Sequence, residues 1–307
     1  MLKKSMAVAI SLVGIMSLTI ATPPIQAATS SPYPVTISNY GTSMTFTKSP
    51  TRIISLSPTA TEMLFAINAG SKVVAVDNQS NYPASAPKTS LSGYTPNLEN
   101  ILALNPDLVV VSYDPGDLVS SLRNAGIKVL VQDAATTLTD SYTQIVQLGR
   151  ITGRLTSANA LVKNMQRKIK AALASIPNRA SGLSFYHELD NTYYSVTSST
   201  FIGQLYAMAG LVNIADTADG AEWGYPQLSS EYIIAKNPSF IFLADSGCCG
   251  QSRTTVRARP GFGSLAAVKR NHTYVLNDDI ASRWGPRTAS LLQSIAWAIK
   301  NFLATNR

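Results

Sequence analysis

Histidine and cysteine are nearly missing from this chain: 307 residues hold two of each. Two histidines exclude a three-histidine zinc site. No H-E-x-x-H, G-x-x-x-x-G-K-[ST], G-x-S-x-G or spaced cysteine set occurs, which removes the motif-borne metalloprotease, phosphate-loop, hydrolase and zinc readings. No metal and no cofactor is expected. The cysteines, Cys248 and Cys249, are adjacent and staple no long loop. They pair with each other in a vicinal ring, pair with another molecule, or stay free; a C-x-x-C redox motif is absent. Charged residues are only 14% of the chain, and Lys and Arg are scattered outside one Arg-rich loop, so nucleic acid is not an expected partner.

What is present starts with a leader. "MLKKSMAVAISLVGIMSLTIATPPIQAATSS" has Lys3 and Lys4, an apolar run from Met6 to Ile20, and small residues at Ala27 and Ala28. That pattern is a secretory signal peptide, and its apolar run falls short of the roughly 20 residues of a spanning helix. The expectation is a cleaved leader over 1–28 and an exported product, periplasmic or extracellular. No cysteine lies in or just after this segment, so no lipid anchor is expected. The formal charge is +8, and +6 once Lys3 and Lys4 are gone; such a protein suits anionic ligands or an anionic membrane surface. With 45% hydrophobic residues, 13 Tyr, 8 Phe and 3 Trp, the chain is large enough for two lobes with real cores.

Four runs, "RIISL" (52–56), "KVVAVD" (72–77), "DLVVVS" (107–112) and "KVLVQD" (128–133), are short, apolar and barely alternating, as in a parallel sheet covered on both faces. Helical patterns separate them: Ser57-Pro58 opens one that stops at Gly70, "PNLENILAL" ends at Asn105-Pro106, and "PGDLVSSLRNAG" ends at Gly126. "DSYTQIVQLGRITG" follows. Then "TSANALVKNMQRKIKAALASIP", with Thr156 as its expected cap, reads as a helix of about 20 residues and roughly 30 Å, long enough to cross between lobes. Past Pro177 the alternation restarts. "LSFYHE", "TYYSV", "SFIFLAD" and "TYVLNDD" are strand-like; "STFIGQLYAMAG", "SSEYIIAKNP" and "ASLLQSIAWAIKNFLA" are helical.

The second half repeats the first. "ENILALNPDLVV" starts at Glu99 and "EYIIAKNPSFIF" at Glu231, 132 residues later. "MLFAINAG" at Gly70 is echoed by "QLYAMAG" at Gly210. Two copies of one helix–strand order predict two similar α/β lobes with parallel sheets joined by one long helix, with the ligand cleft between them. The layout is a leader over 1–28, a lead-in over 29–49, an N-terminal lobe over 50–153, a connecting helix over 154–177 and a C-terminal lobe over 178–307.

Ligands of such sheets sit outside the carboxyl ends of the strands. The loops there carry Tyr82, Tyr94 and Tyr113 from the first lobe, and His187, Asp190, Trp223, Tyr225, Arg253, Asp279, Arg283 and Trp284 from the second. Loop aromatics suit a broad or macrocyclic ligand. One such tyrosine is more often packing than contact; recurrence on both lobes is what favours a site. Arg253 and Arg283 suit carboxylate or phosphate groups, whereas Arg257 and Arg259 read as solvated surface. His187 reads as a strand end meeting solvent or ligand. With Glu188 and Asp190 it also makes the only local basis for a rival reading, an extracellular hydrolase.

"RIISLSPTATEMLFAINAGSKVVAVDNQSNYP", "NLENILALNPDLVV" and "SSEYIIAKNPSFIFLAD" resemble the cobalamin and iron–siderophore binding proteins of bacterial ABC importers, nearest the vitamin cobalamin-binding member, over roughly residues 50–305. The resemblance implies two α/β lobes with little hinge motion and a non-enzymatic monomer that carries a small-molecule ligand, a corrinoid or ferric siderophore, to an ABC permease dimer. It places permease-docking glutamates at Glu99 and Glu231. It places cleft residues at Pro58, Tyr82, Tyr94, Tyr113, Tyr225 and the Asp279/Arg283 pair. Some family tryptophans are tyrosines here, and the "CCGQS" loop with its arginines departs from the cobalamin pattern in a way that suits an anionic siderophore. Haem carriers of this type use a His or Tyr iron ligand, which keeps His187 and a haem receptor as an alternative. A sensor that docks a receptor instead of a permease has the same sequence features.

Overall fold

The computed structural model describes residues 32–180 and 182–305; the leader expected over 1–28 lies outside the described residues. The first strands lie in the lead-in, outside the strand-like runs named above. Val35–Asn39 (β1) and Thr42–Phe46 (β2) form an antiparallel hairpin. Tyr40 and Gly41 at its tip both have positive φ, 51° and 69°, the conformation whose twist matches a two-residue hairpin. Val35, Ile37, Met44 and Phe46 alternate inward to the core. That alternation around "NYG" is the signal that marks the hairpin in the sequence.

The first lobe then runs β3 (Ile53–Leu56), α1 (Pro58–Ala66), β4 (Val73–Val76), α2 (Leu98–Ala103), β5 (Leu108–Val111), α3 (Leu118–Asn124), β6 (Lys128–Val131) and α4 (Leu138–Ile151). Its parallel sheet has the order β4-β3-β5-β6. Both faces are covered: Ile53, Leu108, Val110 and Leu130 enter one core, and Ile54, Val109, Val111 and Val129 another. This is why the strand sequences show no polar alternation.

The connecting helix α5 (Leu155–Ala174) starts one residue before the expected Thr156 cap. Gly153 at φ 69° ends α4 in a left-handed turn, with the Arg154 N–H bonded to the Gly149 carbonyl at 2.7 Å. The chain re-enters helix at once, so no extended cap residue exists at 156. Gly149 lets α4 and α5 touch: a Cβ there lies 2.4 Å from Ala158 Cβ. The first half of α5 gives Ala158 and Met165 to the N-terminal core, and the second half gives Ile169 and Ala172 to the C-terminal core.

The second lobe runs β7 (Ser184–Glu188), α6 (Phe201–Met208), β8 (Val212–Asn213), α7 (Ser230–Lys236), β9 (Phe240–Leu243), α8 (Ser246–Cys249), α9 (Arg253–Ala258), α10 (Ala266–Lys269), β10 (Thr273–Val275), α11 (Asp278–Ser282) and α12 (Thr288–Thr305). Its parallel order is β10-β9-β7-β8. In each lobe the first strand is flanked by the second and third, with the fourth outside the third. The repeat in sequence is a repeat of topology. "TYYSV" is not a strand of this sheet. It makes one isolated bridge, Tyr194 to Gln227, and bonds from the Ser195 and Thr197 amides to Pro226 and Gly224. Tyr193 at φ 71° breaks the extended run.

Candidate functional site

Every helix that follows a strand begins at that strand's carboxyl end, so the loops there are anchored by helix caps. The Ser57 hydroxyl accepts the Ala60 N–H and puts Pro58 at the first position of α1. Thr61 Oγ1 donates to Ser55 Oγ and pairs with Ser80 Oγ, each at 2.9 Å. This hydroxyl chain ties β3, α1 and the 78–83 loop together. The Tyr94 loop is seated closely: a Cβ on Gly93 would lie 2.9 Å from the Leu56 carbonyl and 3.0 Å from Asp77 Oδ2, so glycine is required there. Burial pushes the Asp77 carboxyl above its ordinary range.

These supports leave aromatic rings in solvent. Tyr82 is 47% exposed, Tyr94 71%, Tyr113 39%, Tyr225 49% and Trp223 81%. The Tyr94 and Tyr113 centroids are 6.5 Å apart. Trp223 sits on a 3-10 turn (Ala221–Trp223) between Gly220 and Gly224, both left-handed. Rings of this size in water, grouped at strand ends, mark a surface that gains by being covered.

Four other expected ligand contacts are committed elsewhere. His187 is 0% exposed, its Nδ1 lies 2.8 Å from the Tyr206 hydroxyl, and burial lowers its pKa to about 3. It is therefore closed off from solvent rather than standing at an open strand end. Glu188, the next strand residue, points to the opposite face of the sheet and accepts Arg259 at 2.5 and 2.6 Å. Arg259 is thus no solvated surface residue. Asp190 is taken by the Thr192 amide and hydroxyl. The His187–Glu188–Asp190 group does not converge, and the hydrolase reading loses its basis. Arg253 donates to the Thr273 carbonyl at 2.7 Å and lies over Tyr274 on the edge strand β10. Trp284 packs into the cores of both lobes and donates Nε1 to Gln144 at 2.8 Å. It is a wedge between the lobes, not an open aromatic.

Arg283 is engaged too, and its partner is a residue the sequence reading passed over. Glu62 of α1 has 1% side-chain exposure and accepts Arg283 Nη1 at 2.8 Å, Arg287 Nε at 2.9 Å and Arg287 Nη2 at 2.6 Å. Arg283 also donates to Asn81, to the Gln79 carbonyl and to Asp279 Oδ1 at 2.6 Å. Arg287 lies 4.2 Å over the Tyr82 ring. This cluster clamps the second lobe to the first. The available signal was one carboxylate inside an otherwise uncharged apolar helix, "TATEMLFA". Beside β9, the Asp278 carboxylate caps the short α8 by accepting the Ser246, Gly247 and Cys248 amides, and Cys248 and Cys249 are bonded to each other. Glu99 and Glu231 are both exposed at the second position of α2 and α7, each helix standing before the third strand of its lobe. Hydrogen bonds from its own amide and the Ser230 and Ser229 hydroxyls hold the Glu231 carboxyl below its usual range.

Against known proteins, residues 53–280 match the periplasmic binding protein family. An uncharacterised ABC transporter substrate-binding lipoprotein of Bacillus subtilis (strain 168), YvrC, is 30% identical over 281 residues, covering 87% of this chain and 86% of that protein. The vitamin B12-binding protein of Vibrio vulnificus (strain YJ016) is 28% identical over 80% of this chain and 88% of its own. The crystal structure of the periplasmic vitamin B12 binding protein BtuF of Vibrio cholerae superposes with a TM-score of 0.69 at 25% identity, over 83% of this chain and 98% of that one. The periplasmic haem-binding protein RhuT of Roseiflexus sp. RS-1, at 23% identity and a TM-score of 0.72 over 83% and 99%, shares the fold. One expectation is corrected here. The Bacillus relative is a lipoprotein, which overturns the expectation of an unanchored chain. A missing cysteine near the leader bears on one chemistry of lipid attachment and does not decide anchoring by itself. By sequence, fold and duplicated topology, the chain belongs to the periplasmic binding protein family, the solute-binding components of ABC importers.

Proposed function

We propose that this chain captures a corrinoid between the aromatic loops of its two lobes and presents it to a two-fold symmetric permease through Glu99 and Glu231. The observation that carries the reading is the set of exposed rings at the strand ends of both lobes: Tyr82, Tyr94 and Tyr113 on one, Trp223 and Tyr225 on the other. Flat aromatic faces bury large area with few rotatable bonds, which fits a macrocycle held from two sides. A ferric siderophore rich in carboxylates would need free cations. Arg283 and Arg287 are matched by Glu62 and Asp279, whereas Arg253 gives Nε to the Thr273 carbonyl and keeps an exposed charge with no carboxylate partner among the described residues, so a siderophore would have that one arginine of the expected pair. Haem ligation through His187 is disfavoured by its burial. Vitamin B12-binding relatives among the curated proteins support the same ligand class. The docking role rests on duplication: both glutamates start equivalent helices in equivalent positions, and a dimeric permease has two equivalent acceptors.

The test is a titration by tryptophan fluorescence and absorbance with cobalamin, its precursor cobinamide, haem and ferric hydroxamates. One-to-one quenching by the two corrinoids, lost in Trp223→Phe, is the expected result. Binding of a ferric siderophore or haem with no corrinoid binding overturns the reading.

A further inference from the structure

Lys and Arg recur along the whole chain, but the net positive charge is concentrated where acidic residues are missing. Between Asp140 and Glu188 there are seven Lys and Arg and no acidic residue, so this stretch holds +7 of the formal +8. Most of it is the connecting helix. Ala158, Met165, Ile169 and Ala172 face the cores, while Lys163, Arg167 and Lys170 stand on the opposite, exposed side at spacings of four and three. Like charges at that spacing repel along a helix. Among the described residues no carboxylate pairs with any of the three. The exposed neighbours Ala160, Ala171 and Ala174 do not project beyond the cations. Alongside runs a groove of about 650 Å³ between the β1–β2 hairpin, α4 and α5, lined by Arg150, Thr139, Thr143, Gln147 and Gln166. Its wall offers a cation together with hydroxyl and amide groups, the donors that a phosphodiester with a polyol head would use.

From this array we infer that the connecting helix is a docking face for an anionic phospholipid surface. An unopposed row of cations along a 20-residue helix, edged by small side chains, complements a flat layer of phosphates. The face carries no aromatic ring among the exposed positions of α5, so it lacks the stacking platform of a single-stranded nucleic acid site. It is also separate from the glutamates. Glu99 and Glu231 begin helices at the carboxyl ends of strands, whereas α5 leaves the end of α4 and enters the amino end of β7. Contact with lipid through α5 leaves both handles free.

The test uses the chain from Pro32, which forms one compact unit with both sheets, so the apolar leader contributes nothing. Co-sedimentation with vesicles of phosphatidylcholine containing 40% phosphatidylglycerol is measured at 50 mM and 500 mM salt, as chosen conditions within the range over which screening changes about two-fold in length or more. Binding is expected to the anionic vesicles at low salt, to vanish at high salt, and to be absent with pure phosphatidylcholine. Lys163→Gln, Arg167→Gln and Lys170→Gln together are expected to weaken it about 100-fold, at roughly five-fold per cation, and the corresponding Glu triple variant to abolish it. Corrinoid titrations of the variants should match the parent and urea unfolding should show the Gln variant at least as stable, since the repulsion along the helix is relieved, which separates this outcome from misfolding and from failure of the ligand assignment. Equal vesicle binding by the Gln variant overturns the inference. So does binding of soluble polyphosphate with no binding to anionic vesicles.

Discussion

Asp245 provides a sharp test of the electrostatics read from the structure. It follows β9, is 0% exposed, and among the described residues neither carboxylate oxygen has a hydrogen-bond donor. The cation that acts on it, Arg259, gives both Nη atoms to Glu188 and one also to Gln251. Burial first, and the Glu188 charge second, raise the Asp245 pKa from 3.8 to about 7. The folded state therefore holds a proton that the unfolded chain gives up between these two values. Stability falls as pH rises across that window. A displacement in that direction costs the fold on the order of 1 kcal/mol or more between about pH 5 and pH 8. Asp245→Asn keeps the shape and removes the titration. Urea unfolding followed by tryptophan fluorescence at pH 5, 6.5 and 8 should show the parent weakening with pH, the variant much less so, and the variant more stable at pH 8. Parallel slopes for the two proteins would show that Asp245 does not hold the extra proton.

Glu62→Ala removes the buried carboxylate shared by Arg283 and Arg287 and leaves them only Asp279 as a counter-charge, which should cost about 2–4 kcal/mol in urea unfolding; a loss below about 1 kcal/mol would mean the cluster behaves as a surface pair. Glu99→Arg with Glu231→Arg should abolish cellular uptake while leaving ligand affinity in solution unchanged, and normal uptake would remove the docking role. Gly149→Leu drives a side chain into Ala158 and should destabilise by about 1–3 kcal/mol or more, read as a lowered melting temperature. Trp223→Ala or Tyr94→Ala should each weaken corrinoid binding by about tenfold, near 1.4 kcal/mol, without changing unfolding.

The periodicity of the sequence determined much by itself. Uninterrupted Val/Ile runs four or five residues long, bounded by turn residues, favour strands covered on both faces, Ser57-Pro58 ahead of an apolar helical pattern favours a helix start, and the paired glutamate units announce a duplicated lobe, because backbone sterics and burial act over a few residues. The length of the 20-residue helix α5 is legible for the same reason. What tertiary structure decided was the partner of each charged side chain. Glu62 and Arg283 are 221 residues apart, and no local pattern says that one will neutralise the other. His187 looks like a cleft residue because loop ends and strand ends are one residue apart in sequence, yet side chains at successive strand positions face opposite ways; Trp284 lies between α11 and α12, and only the packing of the two lobes buries it against both cores. Whether a polar group meets ligand, solvent or a buried counter-charge is settled only when distant segments pack, since the cost of burying it depends on what the other segment brings.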